Sequence, residues 1–181
     1  MHEHTQPVIR PCRDDETEAM LAVINAAAQA YRGVIPADRW HEPYMSPSQL
    51  RSEVASGVAF VACEVDGAVA GVMGIQPVRN VDLIRHAYVL PDHQGRGLGG
   101  TLLGHMRART DRPILIGTWA AATWAIAFYE RHGFHLVPNA SKAPLLRAYW
   151  SIPQRQIETS VVLSAPRLTV PQAEELIERA R

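Results

Sequence analysis

The sequence predicts an α/β fold in which a mixed, mostly antiparallel sheet carries one parallel pair at its centre and helices on both faces. Three observations carry that expectation. Two apolar, β-branched runs, Val58 to Val65 and Val69 to Gln76, flank Asp66-Gly67, a short hairpin signal suited to positive φ at both turn residues. A third run, Val81 to Val89, follows a short connection at Pro77 to Asn80 and continues the antiparallel series. Beyond it come a glycine-rich turn, apolar residues at helical spacing (Leu98, Leu102, Leu103, Met106), and another short apolar run, Pro113 to Gly117. Strand-helix-strand linkage makes that last run parallel to the third.

The remaining elements follow in order. Residues 1–7, with His2 and His4, are polar and read as a loose terminus, because two histidines without a third ligand make a poor metal site. Val8 to Arg13 reads as an edge strand that tolerates Pro11. Asp14-Asp15-Glu16 opens a helix whose face is Met20, Ile24, Ala27, Ala28 and Tyr31, and Gly33 ends it. Residues 32–46 form a long loop rich in large side chains, including Trp40 and Tyr44. Ser46 or Ser48 caps a short helix through Leu50 and Val54. Later, Trp124, Ala127, Phe128 and Arg131 mark a helical face stopped by Gly133, and Phe134 to Val137 begins another strand. Lys142 to Ile152 reads as irregular, Gln156 to Ser164 as a final strand, and Pro171 to Arg181 as a helical surface appendage.

Composition narrows the function. The 181 residues carry zero formal net charge and are 47% apolar, against disorder and against a nucleic-acid partner. No run reaches bilayer length and no signal peptide opens the chain, so a cytoplasmic protein without a membrane partner is expected. Cys12 and Cys63 lack metal or disulfide spacing and read as buried thiols; no metal is expected.

The chemistry concentrates at Gln94-Gly95-Arg96-Gly97-Leu98-Gly99-Gly100. Glycines let a ligand approach the backbone, and the helix that starts there presents unpaired N–H groups, which together make an anion site. A Walker loop would need Lys then Ser or Thr after its last glycine, which is absent; Gly95, Gly97 and Gly100 have dinucleotide-type spacing, but they do not directly follow the strand, the bulky Arg96 stands between the first two, and no acidic residue lies about twenty positions on. A nucleotide-binding protein using the same turn is thereby disfavoured. The hexapeptide Gln94 to Gly99, set after Tyr88-Val89-Leu90-Pro91, resembles the coenzyme A signature of the GNAT superfamily of N-acetyltransferases. A second family-like segment, Ala125 to Phe134, reinforces the resemblance, which covers most of residues 8–164.

That resemblance implies the GNAT fold over residues 8–164, with the fourth and fifth strands splayed and residues 165–181 a helical tail. It implies acetyl-coenzyme A as co-substrate, its pyrophosphate on Gln94 to Gly100 with Arg96 as counter-charge, and its pantetheine beside Tyr88, Val89 and Leu90. Val89 or Leu90 would supply the oxyanion N–H, and Tyr129 would protonate the departing thiolate as general acid. Where family members carry a pantetheine-holding asparagine this chain has Ala122, with Thr123 a nearby substitute. His86 is a candidate base on the fourth strand, sharing by alternation a face with Tyr88, and Arg85 on the other face is an acceptor clamp or a salt-bridge partner. Trp40 and Tyr44 are candidates for the acceptor wall. The expected reaction is direct attack by the primary amine of a small molecule, an amino acid among the options, on acetyl-coenzyme A. A peptide or protein acceptor, a non-catalytic acyl-coenzyme A sensor, and a homodimer paired through the tail stay open.

Overall fold

The structure, a computed structural model, describes residues 6–180; residues 1–5, which include His2 and His4, lie outside it. Its strands are β1 (Val8–Pro11), β2 (Ala59–Val65), β3 (Ala68–Val78), β4 (Val81–Val89), β5 (Ile114–Trp119), β6 (His135–Leu136) and β7 (Ser160–Ala165). Its α-helices are α1 (Thr17–Ala28), α2 (Pro47–Ala55), α3 (Leu98–Arg107), α4 (Thr123–Arg131), α5 (Asn139–Tyr149), α6 (Gln154–Thr159) and α7 (Val170–Glu178). The strands form one mixed sheet in the order β1-β2-β3-β4-β5-β7-β6. Contacts divide the chain into two units: the first takes residues up to Arg32 with Trp40–Gln76 and Arg85–Thr110, the second Gly33–Arg39, Pro77–Ile84 and everything from Asp111.

In the first unit, Asp66 (φ 50°) and Gly67 (φ 78°) make the tight β2–β3 turn that the Asp-Gly pair foretells. Register then pairs Phe60 with Gly74, Ala62 with Val72 and Cys63 with Gly71. Phe60 and Val72 join Met20, Ile24 and Leu50 in one core, so α1 and α2 cover that face of the sheet. Gly71 points to the opposite face, where a Cβ would stand 3.1 Å from Leu102 of α3. Helices therefore cover both faces here. Ser46 caps α2 through a reciprocal box with Gln49, and Pro47 follows it. Arg10 on β1 ties Glu16 (2.6 Å) and Glu64 (2.8 Å), closing the edge strand onto the start of the first helix.

In the second unit, β4 and β5 run parallel, pairing Asp82–Ile84 with Ile114–Ile116. Strand β7 then lies antiparallel to β5 from Ile114↔Ala165 to Trp119↔Ser160. Leu83, Leu115, Leu145, Leu146, Tyr149 and Val162 form its core.

Three expectations need correction. Lys142 to Ile152 is not irregular: α5 runs through Pro144. An interior proline costs about 3 kcal/mol, but burial of Leu145, Leu146 and Tyr149, each at most 4% exposed, outweighs it at about 1.5–3 kcal/mol apiece. The expected strand from Gln156 instead begins at Ser160, because α6, anchored by buried Ile157, takes residues 154–159. The helix at the C-terminus is less of a surface appendage than its charges suggest, since Leu168 and Ala173 enter the core and Leu176 O accepts from Asn80. Among the described residues no helix is long and apolar enough to cross a membrane.

Candidate functional site

The glycine turn has the geometry an anion site needs. A single 3-10 turn at Pro91–His93 leads into Gln94, whose side-chain amide donates to Val89 O at 3.1 Å, and Gly95 and Gly97 follow at φ 75° and 80°. Both glycines occupy a region that residues with a Cβ adopt at a cost, and no atom lies within 4 Å of where either Cβ would stand. Gly97 is the N-cap of α3 and has no side chain to offer. Thr101 N–H donates to Gly97 O, so the N–H groups of Leu98, Gly99 and Gly100 have no intrahelical acceptor. Arg96 is exposed on the same turn. Leu98, Leu102, Leu103 and Met106 are buried, as their spacing requires, and hold the helix start in place.

The end of β4 departs from simple alternation. Its pairing with β5 ends at Ile84 and Ile116, and His86 then takes φ 53°, which is uncommon for a residue with a side chain. Because of that kink, Arg85 and His86 do not point to opposite faces as expected. Both reach Glu53 of α2: Arg85 Nη1 stands 2.9 Å and His86 Nε2 3.3 Å from Glu53 Oε2. Burial pushes the Glu53 carboxyl upward, but the contact with His86 and the charge of Arg85 outweigh it and hold the carboxyl below its ordinary range. The His86 ring also stacks on Phe60 at 5.8 Å, and Arg85 donates to Gln76 at 3.0 Å. Arg85 thus forms a salt bridge with Glu53. Glu53 was missed, since a lone acid on a short polar helix carries no signal of its own.

Beyond that kink the backbone roles split. Leu90 N–H donates to Ala70 O at 2.8 Å, which removes Leu90 as an oxyanion donor. Strand amides alternate in direction, so the N–H of Val89 points away from β3. Tyr88 packs against Tyr31 (6.4 Å) and Tyr44 (6.5 Å), and Trp40 stacks on Tyr44 at 5.8 Å. Of the two aromatic residues expected on the loop, Tyr44 therefore meets β4 and Trp40 stacks on Tyr44, with Tyr31 the member that its helical spacing had assigned to the core.

In the second unit, Tyr129 is the buried residue of α4, 8% exposed, with its ring against Phe128 and Phe134. The expected face led by Trp124 is corrected, as Trp124 is 44% exposed. Ala122, fully buried, is the N-cap of α4, and Thr123 follows as its exposed first residue. Neither cysteine suits covalent catalysis. Burial first, and then the charge of Glu16, pushes the Cys12 thiol up to about 11, and burial raises Cys63 as well. Among the described residues no group of three or more His, Cys, Asp or Glu side chains could hold a metal ion.

Residues 56–136 match the family model of an acetyltransferase (GNAT) domain, a span that runs from the β2–β3 hairpin through the glycine turn to Tyr129 and β6. A GNAT-family acetyltransferase from Staphylococcus aureus Mu50 has a similar fold, with TM-score 0.65, 15% identity, and coverage of 88% of this chain and 98% of that one. The PaiA N-acetyltransferase from Thermoplasma acidophilum, solved with coenzyme A, gives TM-score 0.64 at 16% identity, with coverage of 88% and 98%. The ribosomal-protein-S18-alanine N-acetyltransferase from Escherichia coli gives 0.61 at 18%, with coverage of 88% and 92%. No curated protein matches the chain in sequence.

Proposed function

We propose that this chain, whose residues 56–136 match the family model of an acetyltransferase (GNAT) domain, moves an acetyl group from acetyl-coenzyme A to the primary amine of a small molecule in the cytoplasm. The observation that carries the reading is the turn at Gly95 and Gly97. Two open left-handed glycines precede a helix start with no side-chain cap, and they fit the pyrophosphate of coenzyme A through the N–H groups of Leu98, Gly99 and Gly100. Arg96 adds counter-charge.

Each further residue has an assigned task. Backbone of β4 beyond Ile84 offers hydrogen bonds to the pantetheine amides, with Thr123 a second polar contact. The N–H of Val89 donates to the oxyanion that forms as the amine attacks the thioester carbonyl. His86, oriented by Glu53, takes the amine's proton through a water, on the same logic by which a carboxylate orients a catalytic imidazole. Tyr129 returns a proton to the coenzyme A thiolate as the tetrahedral intermediate collapses. Attack is direct, since both thiols are held protonated at neutral pH. Trp40, Tyr44 and Tyr88 form an apolar wall that limits acceptor size.

Calorimetric titration with acetyl-coenzyme A, followed by amines, amino acids and peptides while free thiol is recorded, tests this. Binding with thiol release supports it. Binding without release from any amine would replace it with a non-catalytic acyl-coenzyme A module, and absence of binding would end it.

A further inference from the structure

His86 has two ring nitrogens, and the structure leaves only one of them within reach of a ligand. Nε2 is buried, has no hydrogen bond among the described residues, and stands 3.3 Å from Glu53 Oε2, which is buried and lacks one in the same way. The side chain still keeps 15% of its surface exposed, so that surface belongs to the rest of the side chain, and a ligand or bridging water meets Nδ1. Phe60 stacks on the ring at an interplanar angle of 25°, which fixes its plane and leaves open which nitrogen carries the proton.

Electrostatics makes that choice. The Glu53 carboxyl is held below its ordinary range and is ionised near neutrality. An ionised carboxylate only accepts, so a bare lone pair on Nε2 would face another lone pair in a buried contact. A proton on Nε2 turns that repulsion into attraction. In a neutral imidazole the lone pair then falls to Nδ1, the accessible nitrogen.

The carboxylate stays in place because Arg85 holds both of its oxygens. Arg85 Nη2 donates to Glu53 Oε1 at 3.2 Å, while Nη1 stands 2.9 Å from Oε2. Contacts to two oxygens fix the rotation of the carboxylate, which one contact would leave free. The guanidinium is itself held by Gln76 Oε1 at 3.0 Å, and the Gln76 amide donates to Ser56 O at 2.9 Å, at the end of the helix that carries Glu53. Helix α2 and strands β3 and β4 thus close one loop of polar contacts, and all of its residues lie in the first unit.

We infer that Arg85 is a positioning residue that locks Glu53 against His86 Nε2, so that Nδ1 is the nitrogen that takes the acceptor's proton. This rests on the acetyltransferase reading and deepens it. As the amine attacks, its N–H bond breaks with the electron pair left on nitrogen, and the proton passes through a water to Nδ1. The imidazolium so formed stands beside the Glu53 carboxylate until the proton leaves to solvent.

Long-range proton–nitrogen NMR correlation on histidine-labelled protein, at a pH where the ring is neutral, reads the tautomer without cofactor or acceptor; His86→Gln assigns the signal by its loss. The expected wild-type spectrum has the proton on Nε2, and Arg85→Met, which leaves no guanidinium on Glu53, is expected to show a mixture of both tautomers. Turnover with acetyl-coenzyme A and n-hexylamine is expected to fall in Arg85→Met on the order of 10²-fold, the low end of a general base's contribution, with the KM for acetyl-coenzyme A within about twofold of wild type. Arg85→Lys, which keeps a charge but no fork, is expected to fall between the two. A wild-type proton on Nδ1, or wild-type tautomer and turnover in Arg85→Met, overturns the inference. If Arg85→Met does not fold, Arg85→Lys decides, and wild-type tautomer and turnover there overturn it. Absence of acetyl-coenzyme A binding ends the acetyltransferase reading and with it the catalytic role of Nδ1, whereas the spectrum alone decides whether Arg85 sets the tautomer.

Discussion

Replacing Gly97 with alanine separates a cost in folding from a cost in binding, because the two have different origins at this position. Gly97 sits at φ 80°, and an added Cβ would meet no atom of the chain within 4 Å. The folding penalty is then only that of a left-handed residue with a side chain, about 1–2 kcal/mol. For a chain of this size each kcal/mol corresponds to about 2–4 °C, so the thermal midpoint should fall by roughly 2–8 °C. Binding suffers separately. A methyl group at the N-cap stands where phosphate oxygens must approach the N–H groups of Leu98, Gly99 and Gly100. Losing one charge-assisted hydrogen bond, about 1.5–3 kcal/mol, weakens acetyl-coenzyme A by roughly 10- to 150-fold. Scanning calorimetry reads the first quantity and isothermal titration the second. A midpoint that falls as expected while affinity stays within about twofold of wild type would refute the assignment of this turn to the pyrophosphate.

Other substitutions probe the remaining assignments. Tyr129→Phe should lower turnover by on the order of 10² with little change in acetyl-coenzyme A affinity, and single-turnover thiol release at the wild-type rate would remove Tyr129 as the acid. Glu16 tests the edge of the sheet. Its hydrogen bond to Arg10, opposed by burial and helped by Arg13, holds its carboxyl at about 2 against an ordinary 4.5. A depressed carboxyl contributes stability that is present above about 4.5 and lost as pH falls toward 2. The urea midpoints of wild type and Glu16→Gln should therefore differ most near neutrality and converge across that window; a gap independent of pH would contradict the linkage. Tyr149 OH stands 2.9 Å from Asn80 Oδ1 and 3.0 Å from Leu176 O. Tyr149→Phe should destabilise by about 1–2 kcal/mol without altering cofactor affinity, and an unchanged unfolding midpoint would show that the hydroxyl adds nothing to the hold on α7.

Much of this molecule was determined by short-range chemistry that sequence carries openly. Asp66-Gly67 specifies its turn because only a few residues accept positive φ twice in succession, and the apolar runs on either side set the register. Ser46, Pro47 and Gln49 specify a helix start, and Gln94 to Gly100 specify an open turn before a helix, since each depends on residues within one turn of chain. Tertiary structure decided the rest. Pro144 reads as a breaker until three buried neighbours offset it, and Ile157 belongs to a helix only because the second unit's core has a place for it. His86 shows the same limit at the candidate site. Alternation along β4 puts Arg85 and His86 on opposite faces, and a single residue at φ 53° turns both toward Glu53, thirty-two positions before Arg85. Local preference cannot announce that bend, because what holds it is a carboxylate on another element.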